Sequence, residues 1–315
     1  VLVVGAGVSG LTTAIRLAES GLNVTVRTDR PPGQTTSSVA GAIWGPHLVE
    51  DSDRVTRWAS RTLDALRQLA DDPASGVTIA SGVEASRAVA GIPGWRGLLG
   101  EARPCAAAEL PPGFGAGWRY AAPIVSMPDY LGYLADRFRR AGGLVHTSAV
   151  TSFTQAAQEC GTDVVVNCTG AAARHLVPDP SLTPVRGQMV MLANPGISEF
   201  FIGLDENSAG VTYFFPHRRT VLLGGTEEHG CESLEPDPVT AQRIMDDCAA
   251  IEPRLAGAQV LAHRVGLRPV RPAVRLEAET LAGRQLLHNY GHGGAGITLS
   301  WGCADEVAGL LGCGS

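Results

Sequence analysis

The chain has 315 residues and a net charge of −6, and all 25 of its basic residues are arginine, since it contains no lysine. That excludes the chemistries that need a lysine amine: pyridoxal-phosphate Schiff bases, lysine-dependent aldol cleavage and phosphate-loop nucleotide hydrolysis. The acidic balance offers no basic face for nucleic acid or an anionic membrane, and the length corresponds to about two domains. Seven cysteines are scattered without CxxC or zinc-ligand spacing, which predicts free thiols, a cytoplasmic location and no bound metal.

Val1 to Val4 is a short β-branched run of the kind buried in a parallel sheet, followed directly by Gly5-Ala6-Gly7-Val8-Ser9-Gly10. Leu11, Ala14, Ile15 and Ala18 repeat at helical spacing, Gly21 closes the helix, and Val24 to Val26 reads as a second strand. Pro31 to Ser38 reads as a turn-rich loop, and Asp53 to Leu69 as an amphipathic helix. The next fifty or so residues are rich in Gly, Pro and Ala and predict short strands and loops of a second domain. A helix is predicted over 130–140, strands over 144–146 and 163–167, a group of strands over 187–224 and a helix over 240–251. The chain closes with a strand (285–288), a glycine-rich loop (290–296) and a helix (297–311).

GxGxxG at a strand-to-helix junction lets backbone N–H groups and a helix N-terminus hold a pyrophosphate, because side chains at the glycines would block its approach. Asp29 follows Gly10 by 19 residues, where a carboxylate can accept hydrogen bonds from ribose hydroxyls. Its alternative reading is a solvated turn residue paired with Arg30. These features point to a dinucleotide without separating NAD from FAD. Four glycines between Gly291 and Gly296 precede an apolar helix and make a second anion-receiving terminus, which suits the negative charge of a reduced flavin and disfavours an NAD-dependent dehydrogenase. His288 and His292 have no third ligand at metal spacing, and no GxSxG elbow supports a hydrolase.

Leu286 to Ala304, LLHNYGHGGAGITLSWGCA, resembles the signature of the FAD-dependent D-amino-acid oxidase family, and Gly266 to Pro272, GLRPVRP, resembles its substrate-arginine segment. Val39 to Trp44, Val166 to Gly170, Arg186-Gly187-Gln188 and Leu223 to Thr226 extend the similarity over nearly the whole chain. The resemblance implies a mixed α/β (α+β overall) fold. A Rossmann-like FAD-binding domain would comprise residues 1–48, 137–184 and 265–315, and a mostly antiparallel β substrate domain residues 49–136 and 185–264. It also implies oxidation of a D-amino acid to a 2-oxo acid, ammonia and H2O2 by hydride transfer to flavin N5, with O2 as acceptor, in a monomer or homodimer. Glycine or another small amine, and D-aspartate, are the alternative substrates within the fold.

By resemblance, Arg268 grips the substrate carboxylate, Tyr213 adds a hydroxyl contact to it, and the Gly294 carbonyl receives the amino group. Without the resemblance, Arg268 reads as a surface or ion-paired residue and Tyr213 as a strand aromatic. The same similarity assigns FAD contacts to Gly5, Ala6, Gly7, Val8, Ser9, Gly10, Asp29, Arg30, Thr35, Thr36, Ser37, Gly41, Ala42, Ile43, Val150, Thr169, Gly293, Gly294, Gly296, Ile297 and Thr298, with Thr298 near the flavin C2 carbonyl. Ile43, His47 and Glu227 are expected to line the substrate pocket.

Some relatives carry a second lid tyrosine where this chain has Ala209, in a stretch (206–212) that is shorter here, so an open entrance is expected. His47 stands where the D-aspartate-oxidising branch also has histidine, but Glu227 replaces one of that branch's arginines, which predicts poor use of acidic substrates. Relatives that speed reaction with O2 by a lysine beside the flavin are no guide to this lysine-free chain.

Overall fold

The computed structural model describes residues 1–87, 94–204 and 211–313. In chain order the strands are β1 (Leu2–Val4), β2 (Thr25–Thr28), β3 (Val77–Ser86), β4 (Arg103–Pro104), β5 (Ala116–Val125), β6 (Leu144–Thr147) and β7 (Val164–Asn167). They continue with β8 (Thr183–Ala193), β9 (Phe200–Leu204), β10 (Thr212–Pro216), β11 (Thr220–Gly224), β12 (Glu228–His229), β13 (Val260–Leu281) and β14 (Arg284–His292). The α-helices are α1 (Val8–Glu19), α2 (Asp53–Leu69), α3 (Met127–Arg140), α4 (Phe153–Glu159), α5 (Ala173–Leu176), α6 (Pro238–Ile251) and α7 (Gly296–Leu310).

One half of the sheet is parallel, in the order β6-β2-β1-β7-β14. Its inner strands β1 and β7 are apolar but for Asn167 because both faces are covered, whereas the edge strand β6 is largely exposed. Val3, Val166 and Leu287 pack under α1, α2, α3 and α7, while Leu2, Val4, Val165 and Leu286 pack against Phe153, Ala156 and Ala157 of α4. From β14 the sheet continues antiparallel through β13, β8, β11, β10 and β9; β3 joins β9 in parallel, and β5 and β4 complete the edge. Helix α6 covers this half with Ala241, Ile244 and Cys248 on Val190, Leu192, Phe214, Val221 and Leu223. Among the described residues no helix is long and apolar enough to cross a membrane.

The predicted α/β pattern is present, with instructive differences. The Gly/Pro/Ala-rich region holds two ten-residue strands, β3 and β5, paired along their whole length instead of short pieces. Helix α4 was not anticipated, because seven residues are too few to display a clear apolar stripe. The loop predicted from Tyr290 is strand as far as His292, where Tyr290 pairs with Arg275 and His292 with Val270. The 22-residue β13 escaped sequence reading because Pro269 and Pro272 argue against a central strand. The β13–β14 register breaks between Val270 and Arg275, the stretch that contains Pro272.

Two features of this frame are testable. A Cβ on Gly302 of α7 would stand 2.3 Å from the Trp58 carbonyl oxygen of α2, so Gly302→Ala forces the helices apart. Overpacking of this kind costs about 2 kcal/mol and is expected to lower the melting temperature of a chain of this length by about 3 °C; an unchanged thermal transition would refute the close crossing. His292 is buried, and burial pushes its imidazole down to about 4. The unfolded chain, with an ordinary imidazole, therefore binds more protons between about pH 6.5 and pH 4, so this group's contribution to stability is full above that window and lost as pH falls through it. In calorimetric scans the gap between wild type and His292→Asn should narrow across that window; a constant gap would contradict the assignment.

Candidate active site

Helices α1 and α7 leave the carboxyl ends of β1 and β14 side by side. A Cβ on Gly296 would stand 3.8 Å from Val8 Cγ1, and Thr12 Oγ1 donates to the Ser300 carbonyl across the pair at 3.1 Å. Neither helix has a side-chain N-cap or an acidic residue in its first turn, whereas α2, α4 and α6 are capped by Ser52, Ser152 and Asp237. Two positive dipole ends thus open onto one place.

The glycines make this closeness possible. Gly5 has φ of +109°, and a Cβ there would stand 2.4 Å from the Cys168 carbonyl oxygen. A Cβ on Gly10 would stand 1.9 Å from the Gly5 carbonyl oxygen, and one on Gly7 would stand 2.9 Å from Ser37 Oγ. Ser37 Oγ accepts the Val8 N–H at 3.0 Å, which ties the 36–39 turn to the start of α1. Ser9 Oγ lies 3.5 Å from His292 Nδ1, and His292 Nε2 lies 2.9 Å from Asn289 Oδ1. These glycines, the two helix amino ends free of acidic residues and the bound turn fit a dinucleotide pyrophosphate.

Asp29 and Arg30 follow β2 as an exposed ion pair of 2.8 Å, the pairing that the alternative reading of Asp29 anticipated. Thr35 Oγ1 is committed to the Pro32 carbonyl and Thr169 Oγ1 to Asn167 Oδ1, so each stabilises its own turn. Val150 packs into the α4-side core. Thr298 is buried, and its hydroxyl is spent on Gly45, accepting from the N–H at 3.1 Å and donating to the carbonyl at 3.0 Å. Its side chain therefore clasps the 45–48 loop, and any role toward a ligand falls to the main chain of the first turn of α7.

The 41–48 segment runs between the two halves of the sheet. Gly41 sits against Leu222 and Phe215, and Ile43 forms a bridge to Ile124. Ala42 and Leu48 both have positive φ, 53° and 50°, and bracket the segment in strained backbone. His47 is held against the second glycine loop: its carbonyl accepts the Gly294 N–H at 3.0 Å, and a Cβ on Gly294 would stand 2.4 Å from its Cδ2. Gly293 donates to the Pro269 carbonyl at 2.9 Å, tying that loop to β13.

Arg268 and Tyr213 meet beside this loop. The Arg268 guanidinium lies over Gly187, where a Cβ would stand within 2.6 Å of it, and Nη1 donates to the Thr226 carbonyl at 2.9 Å. The Tyr213 ring lies over Gly224 and Gly225 and stacks on Phe215, and its hydroxyl sits beside Arg268. Burial pushes the Tyr213 phenol up, so it remains protonated and can donate. Arg271 serves the frame instead, paired at 2.9 Å with Asp179, which also accepts from Tyr290. Glu227 reaches the same place and meets His47 Nε2 at 2.9 Å; that hydrogen bond holds its carboxyl below the usual carboxylate range.

The structure thus gathers Arg268, Tyr213, Glu227, His47 and the Gly293–Gly294 loop at the start of α7. Ala209 and the lid stretch before Val211 lie outside the described residues. Sequence reasoning assigned no role to Gly187, Gly224 or Gly225, which supply the space for Arg268 and Tyr213. The signal was the glycines at the strand positions of Arg186-Gly187-Gln188 and Leu223-Gly224-Gly225-Thr226, where a strand loses stability unless something packs over it.

The model of the family described as FAD dependent oxidoreductase, DAO, matches residues 1–310. The chain is 51% identical over 313 residues to a D-amino-acid oxidase of Rubrobacter xylanophilus, covering 99% of this chain and 95% of that one. It is 47% identical to a D-amino-acid oxidase of Streptomyces coelicolor, covering 98% and 96% of the two chains, and 34% identical to the D-aspartate oxidase of Homo sapiens, covering 99% and 94%. The crystal structure of glycine oxidase from Geobacillus kaustophilus superposes with a TM-score of 0.82 at 20% identity, covering 100% of this chain and 94% of that one, which shows a shared fold. Family model, identity and fold agree: the chain belongs to the DAO family of FAD-dependent oxidoreductases.

Proposed function

We propose that this protein oxidises D-amino acids with neutral or hydrophobic side chains to 2-oxo acids, ammonia and H2O2, with O2 as acceptor. The observation that carries the reading is the meeting of Arg268 and Tyr213 beside the Gly293–Gly296 loop, in a chain 51% identical to a D-amino-acid oxidase. When bound, FAD supplies the two-electron acceptor for the substrate Cα–H bond and passes the electrons to O2.

The Gly5–Gly10 turn and the start of α1 would hold the pyrophosphate, with Ser37 fixing the turn. Asp29 and Arg30, at the end of β2, would take the ribose side, and the main chain at Gly296, Ile297 and Thr298 would take the flavin. Arg268 keeps its second guanidinium nitrogen for the substrate carboxylate, because its Nη1 is occupied by a neutral main-chain carbonyl. The Tyr213 hydroxyl, protonated by virtue of its burial, donates to the same carboxylate. The Gly294 carbonyl receives the substrate ammonium, and its position is set by the hydrogen bond of its own N–H to His47. Two fixed ends orient the Cα–H bond, so the chain's contribution is chiefly positioning. Fixed positive charge comes from Arg268 and the amino end of α7, as there is no lysine to supply it. Glu227 places a carboxylate beside this site, which favours neutral substrates over D-aspartate.

Arg268→Ala is expected to leave the protein yellow with bound flavin while raising KM for D-valine about 100-fold, the scale for truncating one partner of a shielded charge pair. Peroxide-coupled kinetics across D-amino acids, L-amino acids and glycine check this, and an unchanged KM would remove Arg268 from the role.

A further inference from the structure

We propose that His288 is a positioning residue for the flavin cofactor: acting through Asn167, it fixes the turn after β7 that backs the Gly5–Gly10 loop. His288 stands apart from the substrate-binding residues, on β14 where that strand pairs with β7, and its register partner there is Asn167. The inference is independent of which amino acid the enzyme oxidises.

A chain of donors settles which atom faces which. Thr169 donates twice to Asn167 Oδ1, from its N–H at 3.2 Å and from its hydroxyl at 2.7 Å. A main-chain N–H can only donate, so the oxygen of the Asn167 amide is the atom turned to Thr169. Asn167 Nδ2 therefore points at His288 Nδ1, 3.2 Å away, and donates to it. Nδ1 is thus unprotonated and the ring proton sits on Nε2. That nitrogen faces the partly exposed Glu279 carboxylate at 3.2 Å but off the line of a hydrogen bond, so the attraction there is electrostatic. Asn167 and His288 are both fully buried, and a turned amide would strand polar groups where no water reaches them.

The turn held in this way is the one that meets the phosphate-binding loop. The Cys168 carbonyl oxygen is the atom that a Cβ on Gly5 would strike, and the Cys168 N–H donates to the Val4 carbonyl at 2.9 Å. An Asn167 amide turned over would set its NH2 against the Thr169 N–H, two donors face to face, and release the turn from Gly5. A neutral His288 selects the correct orientation because Nδ1 accepts; a protonated ring donates from both nitrogens and selects against it. The charged groups facing His288 are Arg275, Glu277 and Glu279 of β13, and the 170–172 turn packed on β14 adds none, being Gly-Ala-Ala. Burial, helped by the Arg275 guanidinium, holds the imidazole below its usual value, so the ring takes its second proton only below about pH 6.5.

The test is the Kd for FAD, read from flavin fluorescence as the whole chain, stripped of cofactor, is titrated with FAD. His288→Leu, which cannot accept from Asn167, is expected to raise that Kd about tenfold at neutral pH, the scale of one buried hydrogen bond. His288→Asn, whose amide oxygen can stand where Nδ1 stood, should bring it back to within about threefold of wild type. In the wild type the Kd should rise about fivefold as the pH is lowered from about 7.5 to about 5 and His288 is protonated, whereas with His288→Asn it should stay level. His292, held down to about 4, remains neutral across that range. Wild-type affinity in His288→Leu, no rescue by His288→Asn, or an acid rise that is missing from the wild type or shared by His288→Asn overturns the proposal. The wild-type pH profile decides the matter if neither variant folds.

Discussion

The site depends on a steric constraint: strand β1, helix α1 and the segment after β7 approach so closely that no side chain fits between them. Gly10 against the Gly5 carbonyl and Gly5 against Cys168 allow α1 to begin where β1 ends, and the same tight exit brings α1 alongside α7. Everything that would receive an anion follows from that closeness. The first turns of both helices are left without side-chain caps or acidic residues, and the polar groups nearby are used to fix backbone. Ser37 holds Val8, Thr298 holds Gly45, and the His47 carbonyl holds Gly294.

A second pattern runs through the arginines. Most are committed to carboxylates of the frame, as with Arg271 on Asp179, Arg186 on Glu228 and Arg137 on Glu19. Arg268 differs in taking a main-chain carbonyl, which steadies a guanidinium without neutralising it. The surrounding glycines complete that difference, since Gly187, Gly224 and Gly225 remove the side chains that would fill the space taken by Arg268 and Tyr213.

Much of this was legible in the residues because it is local. Helix α2 was read to its observed limits, since Val55, Trp58, Leu63, Leu66 and Leu69 form one stripe behind a Ser52 cap. The β1-α1-β2 unit was legible for the same reason, its periods and glycines lying within one short span. What depends on contacts distant in sequence was not legible. The Thr298 clasp joins residues 253 positions apart, and the His47–Glu227 pair joins a loop to the end of a strand on the other half of the sheet. Strand β13 was hidden by its prolines, although Pro269 faces Pro184 of β8 inside a continuous pairing. The sequence alone does not separate Arg268 from Arg271, whereas the structure distinguishes them by their partners, a main-chain carbonyl for Arg268 and the Asp179 carboxylate for Arg271.

Strand β13 has a mechanical meaning beyond its length. It is hydrogen-bonded to β8 on one side and to β14 on the other, so Arg268 and the Gly293–Gly296 loop are attached to one continuous ladder. Swinging the two halves of the molecule apart as rigid bodies would tear that ladder, at the cost of many main-chain hydrogen bonds at once. The active site is therefore not a hinged cleft. On the proposed reading, entry of substrate and exit of product fall to side chains and loops at the rim, while the shared strand holds Arg268 and the Gly293–Gly296 loop at a fixed spacing.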